Sequence, residues 1–473
     1  MKKLTFNDHL FRGYDLRGVA GKDLDEGRME VLGLAYATFL YQRRIWEVAV
    51  GRDNRLTSEA YSNAFIKGLL ESGVDVVDIG LSLAQIVYFS QYYLRFKGAA
   101  MITASHNPAE YNGLKLAIGF SDTMTSTEIQ QYKKIAQSGK FKKFERKASL
   151  RKEDVFPHYK KDVLRRIPKL RKFKVVVDTI YGTAGMFLPE ILREAGCEVI
   201  EQNTKLDGTF PLGTADPTER KVQERLAERV LKEKADIGFS YDTDGDRMGI
   251  VDSKGRLIWN DTLVSIFAKD VLEYMSGAKI IFNVLCSKQV KDVIEQMGGQ
   301  PVMWITGHSF IKAKIKEERA PFGGELSGHM FFTDNFYGHD DEAYASLRLL
   351  AYLTRVDKSL DQVVDGLPKY VSSPEIKLGC PDNIKFELIS EKIAVDLEKA
   401  YPDAQYVEID GVRFDTKDEM GVIRASQNGP YLTVKYEARG QAGFEELRKT
   451  LSEILHKYPQ VDFKDGVNTD ALD

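Results

Sequence analysis

A layered α/β fold repeated along the chain and closed by a smaller α+β domain is the fold class the sequence predicts, on three observations. Short apolar runs alternate with helical patterns over most of the 473 residues, the rhythm of parallel βαβ units. From about Glu375 that rhythm gives way to short, alternating apolar and polar segments, the texture of antiparallel strands. The length, at roughly 100 to 200 residues per domain, accommodates about three or four domains and not a single core.

Taken in order, Val48–Asp53 reads as a strand, Ser58–Gly73 as a helix and Val74–Gly80 as the next strand. The same unit recurs over Lys174–Glu201 and over Lys279–Thr306, the latter with a helix across Ser287–Met297. These repeats predict three related α/β domains with mixed, mainly parallel sheets, over residues 1–150, 151–256 and 257–368. QYVEIDGVRFD (Gln405 to Asp415), MGVIRAS (Met420 to Ser426) and YLTVKYEA (Tyr431 to Ala438) then predict the strands of an α+β domain over 369–473. Two connectors interrupt the pattern. Lys142–Lys174 holds fourteen basic residues against four acidic ones and reads as a solvated linking helix, since it lacks the interleaved aromatics and Gly-rich loops of a nucleic-acid module. Pro368–Pro374 reads as a hinge.

Composition narrows the function. Hydrophobic residues at 43% and charged residues at 29% exclude a disordered or low-complexity chain. A formal charge of -3 supplies no global field for nucleic acid or an anionic membrane, so the expected partner is a small molecule. Cys197, Cys286 and Cys380 are odd in number and lack CxxC spacing, which argues against a disulfide framework or a zinc site and for a reducing compartment. MKKLTFNDHL turns polar at once and no run of about 18 apolar residues occurs, so a cytoplasmic location is expected.

Four segments carry candidate chemistry. In MITASHNPAEYNGLK an apolar strand (Ala99 to Ile102) ends in a turn bearing Ser105, His106, Asn107 and Pro108. That is the sheet edge where α/β folds place ligands, and the hydroxyl is available as nucleophile or phosphate carrier; a plain polar loop reads the same residues equally. In DIGFSYDTDGDR, Asp242, Asp244 and Asp246 follow an apolar strand two residues apart. Three carboxylates so close repel unless a cation sits among them, and oxygen-only ligands favour a hard ion such as Mg²⁺. An EF-hand fits poorly, because its glycine would fall at Arg247 and its bidentate Glu at Ser253. A DxDx[TV] phosphatase with Asp242 as nucleophile fails at Asp246, and a hairpin of solvated acids is the bland alternative. In GHSFIKAKIKEERAPFGGELSGHMFF a Gly-rich turn presents Glu325, Ser327 and His329, able to bind adjacent sugar hydroxyls or merely marking a turn; His308 and His329 also fit structural roles. In MGVIRASQNGP, Arg424, Ser426, Gln427 and Asn428 offer the donors a phosphate dianion needs, or a hairpin loop.

In this order TASHNP, DGDR, GELSGH and RAS…P, with FRGYDLRG (Phe11 to Gly18) and GRDNRLTS (Gly51 to Ser58), make the chain resemble the α-D-phosphohexomutase superfamily, most closely its bacterial phosphomannomutase/phosphoglucomutase branch. The resemblance spans nearly the whole chain. It implies three related α/β domains plus a smaller α+β domain around a central active-site cleft. It also implies interconversion of hexose 6-phosphate and hexose 1-phosphate through a bisphosphorylated sugar. Ser105 would be the phosphoserine, and Asp242, Asp244 and Asp246, with an oxygen on Ser105, would hold one Mg²⁺. Lys115 would be the general acid/base, with Arg17, His106 and Arg247 as further catalytic contacts. Tyr14, Arg17, His308 and His329 would face the substrate, Glu325 and Ser327 would read sugar hydroxyls, and Arg424, Ser426, Gln427 and Asn428 would clamp the non-reacting phosphate. Traces of sugar 1,6-bisphosphate would act as activator, the phosphosugar would be the partner, and the protein would be a monomer or small homo-oligomer.

Three departures qualify the resemblance. Leu285 and Asn283 stand where the family carries Lys and an acid, which raises Lys288, one helical turn on, as a replacement cation against a solvated helix charge. The phosphate loop reads RASQNGP in place of RxSNTEP or RxSGTEP. Ala84-Gln85 replaces a Thr-Pro and is expected to affect packing, not chemistry. A phosphoglucosamine mutase, or a phosphosugar-binding protein of the same fold with little catalysis, is the alternative.

Overall fold

The computed structural model describes residues 5–427 and 429–472. The chain forms two compact units, one of Met1–Asn260 with Ser327–Asp365, the other of Asp261–Leu326 with Gly366–Asp473.

The first unit holds two sheets. In one, Phe11–Arg12, Asp15–Val19, Tyr111–Gly119, Gly98–Ile102, Glu47–Arg52, Asp75–Leu81 and Leu150–Lys152 lie side by side. The strands from Gly98–Ile102 outward to Leu150–Lys152 run parallel, and Tyr111–Gly119 is antiparallel to both its neighbours. Every residue of Gly98–Ile102 is buried, as a strand covered on both faces must be. Val48, Val50, Val76, Ala100 and Ile102 share a core with Met29, Leu32, Phe65 and Leu69 from helices Glu26–Tyr41 and Ser58–Glu71, each of these side chains larger than alanine contributing about 1.5–3 kcal/mol by leaving water. In the second sheet Glu198–Gln202, Lys174–Asp178 and Ile237–Tyr241 are parallel, and Met248–Asp252 returns antiparallel to Ile237–Tyr241. The acidic segment is therefore the loop of a hairpin.

The second unit contains the parallel trio Gln300–Trp304, Lys279–Asn283 and Phe322–Gly324, with helix Lys288–Gln296 after the central strand. Its other sheet is antiparallel: Gln405–Val407, Val412–Asp415, Glu419–Ala425, Tyr431–Ala438, Ile376–Gly379 and Asp462–Val467 in that order. Helix Gln441–His456 supplies Leu447, Leu451 and Leu455 to the core shared with Ile376, Leu378, Ile423 and Val434. The chain thus has three tandem α/β domains and a C-terminal α+β domain.

Both connectors differ from expectation. Only Phe156–Arg165 of the basic stretch is helical, and Leu150–Lys152 extends the first sheet instead. Much of its charge is paired: Lys160 with Glu190 and Glu194, each at 2.6 Å, and Arg166 with Asp162 at 2.8 Å. The Pro368–Pro374 stretch is not an open hinge. Val371 and Ser372 pair with Ala438 and Glu437, and Tyr370 donates to Asp292 at 2.6 Å.

Candidate active site

Ser105 lies at the end of strand Gly98–Ile102 and adopts φ +51°, a left-handed conformation uncommon for a residue with a Cβ. Its backbone N–H donates to Thr103 Oγ1 at 2.9 Å, and its fully buried hydroxyl donates to Asp242 Oδ2 at 2.7 Å. His106 Nδ1 lies 3.2 Å from the same Oγ. Arg17, on strand Asp15–Val19, donates to Asn107 Oδ1 at 2.7 Å and so grips the loop from the side. Tyr14 occupies the turn just before that strand and is nearly buried.

Asp242, Asp244 and Asp246 are fully buried on the hairpin loop. Gly245 takes φ +75° to turn it, and Asp242 accepts from the Arg247 N–H at 3.2 Å. Ligand oxygens of all three aspartates lie within 4.8 Å of one another. Lys115, on strand Tyr111–Gly119, reaches into this cluster, with Nζ 2.8 Å from Asp244 Oδ2 and bonded to Asp246. Burial works against the Lys115 ammonium, but Asp244 and Asp246 outweigh it and hold its pKa well above the ordinary range. Burial, reinforced by Asp244 and Asp246, pushes Asp242 well up. Burial also opposes ionisation of Asp244, yet the Lys115 ammonium wins and lowers its pKa. Arg247 is raised despite burial, through Asp216, Asp242 and Tyr14. The donor set of three buried carboxylates fits a hard divalent cation, whose charge would oppose the burial and mutual repulsion that raise Asp242.

A second acidic cluster joins Asp246, His329 and Asp340. Arg247 Nε donates to His329 Nε2 at 3.0 Å, while His329 Nδ1 lies 3.0 Å from Asp340 Oδ2. Nε2 accepts from Arg247 and Nδ1 faces a carboxylate, so these two neighbours set the orientation of the ring.

Ser327 is half-buried on the turn before His329. In the second unit, Glu325 is buried and accepts from the Gly307 N–H at 2.7 Å. His308 begins helix His308–Glu318 and is also buried. Arg424 Nε donates to Asp410 Oδ2 at 2.9 Å. Ser426 is buried and Gln427 half-buried, and Lys385 ties their loop by donating to the carbonyls of Ser426 and Gly429. Asn428 lies outside the described residues.

The departures resolve in unexpected ways. Lys288 is 92% buried, not a solvated helix charge. The ammonium beside Leu285 comes from Lys435, which donates to the Leu285 carbonyl at 3.2 Å and to Asp261 at 2.7 Å. Ala84-Gln85 proves to bear on the acidic loop, not on packing alone: the Ala84 N–H donates to the Asp244 carbonyl at 2.9 Å and Gln85 Nε2 to the Gly245 carbonyl at 3.0 Å. Sequence reasoning missed Asp340 and Arg55. The second sat inside the quoted GRDNRLTS signature, but nothing local announced that its side chain turns inward.

Three family models match: phosphoglucomutase/phosphomannomutase alpha/beta/alpha domain I over residues 8–143, domain II over 157–255 and domain III over 259–370. The chain is 35% identical over 455 residues to a phosphomannomutase/phosphoglucomutase of Pseudomonas putida, covering 96% of this chain and 97% of that protein. It is 32% identical to a phosphoglucomutase of Neisseria gonorrhoeae, over 96% and 98% of the two chains. A crystal structure of a phosphoglucomutase/phosphomannomutase family protein from Burkholderia thailandensis superposes with a TM-score of 0.88 at 32% identity, covering 96% of this chain and 98% of that one.

Proposed function

The chain belongs to the phosphoglucomutase/phosphomannomutase family, and we propose on that premise that it interconverts hexose 6-phosphate and hexose 1-phosphate, with mannose or glucose as the sugar, through phosphorylated Ser105. The observation that carries the reading is the 2.7 Å bond from the Ser105 hydroxyl to Asp242, in a buried cluster that also holds Lys115. A serine placed only for packing needs neither three buried carboxylates nor a buried ammonium.

In the first transfer the bond between Ser105 Oγ and phosphorus breaks as a sugar hydroxyl oxygen bonds to phosphorus. The proton of that hydroxyl ends on Ser105 Oγ, leaving the serine hydroxyl and a bisphosphorylated sugar. The second transfer reverses these bonds at the other phosphate. Lys115 enters as an ammonium, so it neutralises charge and relays that proton: it gives one to the departing Ser105 Oγ and takes up the one the sugar hydroxyl releases, and in the return step the relay runs the other way. His106 and Arg17 orient the loop and its phosphate. Arg247, fixed by His329, brings a permanent cation to the same place. Asp242, Asp244, Asp246 and a phosphate oxygen on Ser105 would hold one Mg²⁺, whose positive charge stabilises the transferring phosphoryl group. Tyr14, His308, His329, Glu325 and Ser327 serve the sugar, and Arg424, Ser426, Gln427 and Asn428 the non-reacting phosphate. Catalytic traces of sugar 1,6-bisphosphate would reload a dephosphorylated Ser105. Among the described residues no helix is long and apolar enough to cross a membrane, and the three free cysteines suit a reducing cytoplasm.

Assays of mannose, glucose and glucosamine 1-phosphate side by side, with Mg²⁺ and a trace of sugar bisphosphate, test this. Turnover of the first two is expected. Absence of turnover on all three, or stoichiometric release of inorganic phosphate, would overturn it.

A further inference from the structure

The side chain of Arg55 is completely buried, and all five of its guanidinium N–H groups have acceptors. Nε donates to Asp53 Oδ2 at 3.1 Å. Nη1 donates to the carbonyls of Pro108 and Tyr111 at 2.6 and 3.0 Å, and Nη2 to those of Ser105 and Asn107, each at 2.7 Å. Four carbonyls of the loop that carries Ser105 thus converge on one planar cation. Asp53 is held in turn: its Oδ1 accepts from the Arg55 N–H at 3.0 Å and from Ser58 Oγ at 2.5 Å. Asn112, where the loop re-enters the sheet, donates to that same Ser58 at 3.0 Å.

The neighbouring residue joins this knot to the second α/β domain. Asn54 donates its N–H to Thr183 Oγ1 at 2.9 Å and its side-chain amide to the Tyr181 carbonyl at 3.0 Å. Between those two residues, Gly182 abuts the acidic hairpin so closely that a Cβ there would stand 2.7 Å from Thr243 Cα. Residues 53–55 therefore hold the serine loop on one side and, on the other, a turn packed against the aspartate loop.

We infer that Arg55 is the positioning residue that sets the Ser105 hydroxyl against Asp242 for phosphoryl transfer, an inference that rests on Ser105 being the phosphoryl carrier. A planar fork is required because the four carbonyls are approached in pairs from two nitrogens in one plane. A lysine offers three donors on a point charge and cannot reproduce that arrangement. Arg55 touches no reacting atom in this geometry, so its loss misplaces the carrier without removing a group that binds sugar. A displacement on the order of 1 Å costs about 100-fold in rate.

The test uses the full-length enzyme with Arg55→Lys and Arg55→Met, glucose 1-phosphate as substrate and a trace of glucose 1,6-bisphosphate. The readouts are kcat, KM, intact mass and thermal unfolding. Arg55→Lys keeps a cation beside Asp53 and is expected to fold, to accept phosphate on Ser105, and to show kcat about 100-fold lower with KM within about twofold of wild type. A kcat within about threefold of wild type, or a change confined to KM, would overturn the inference. If Arg55→Met does not fold, the lysine variant decides. If neither folds, Arg55 serves stability alone and the inference fails. A wild-type enzyme that turns over without ever showing phosphate on Ser105 would instead remove the carrier reading, a result the mass measurement separates from the rest.

Discussion

The ammonium of Lys435 lies 3.2 Å from the backbone carbonyl of Leu285, at the position where the family resemblance calls for a lysine side chain. The local cation arrives from strand Tyr431–Ala438, and its charge is matched by buried Asp261. Restoring the family residue with Leu285→Lys would bury a second ammonium near the first, where Asp261 is already paired with Lys435 and Glu437 already accepts from Ser287 and Lys288. The variant should be less stable by about 1–3 kcal/mol in denaturant unfolding and no more active. A variant as stable as wild type with raised kcat would contradict this.

Ser105→Ala removes the hydroxyl and keeps the left-handed backbone no worse than serine does. It should fold, lose the phosphate mass seen on wild type after incubation with sugar bisphosphate, and turn over at least about 100-fold more slowly. Full activity in the alanine variant would end the carrier reading.

Asp242, Asp244 and Asp246 share one charge balance with Lys115. Replacing any one by Asn should lower kcat by about two orders of magnitude or more, the scale of a lost electrostatic stabiliser. Chelation should do the same to wild type, with activity restored by Mg²⁺. Unchanged rates in a preparation shown by elemental analysis to be metal-free would refute the metal reading.

Burial pushes the Cys197 thiol up to about 11 and raises Cys286 and Cys380 as well. Thiolate is therefore scarce at all three near pH 8. A thiol reagent should label none of them quickly in the native protein and three after unfolding. Rapid stoichiometric labelling of the folded chain would show that one is accessible.

The layered fold was legible because periodicity reports burial. VAVGRD, KVVVD and KIIFN are apolar on both faces, and only a covered parallel strand needs that. The aspartate loop was legible for a similar reason, since three acids two residues apart after a strand have few uses. Long-range placement was not legible. Nothing near Gln85 in the sequence tells that its amide reaches Gly245, and Lys435 looks like any outward lysine of an alternating strand. Lys288, at the first turn of an amphipathic helix, gave the opposite impression from its burial. Such contacts depend on which loops the packing brings together, and periodicity carries no information about that.

Glycine would suit the backbone at position 105 better than serine does. At φ +51° an L-residue pays about 1 kcal/mol that glycine escapes, so Ser105→Gly should relax the turn while abolishing turnover. Conformational preference thus favours glycine here, and the proposed carrier role is what would hold the serine against it. In a lineage freed of the need for phosphosugar conversion, this hydroxyl would be among the first functional groups to disappear, and the inactive descendant would fold as well as its ancestor or better.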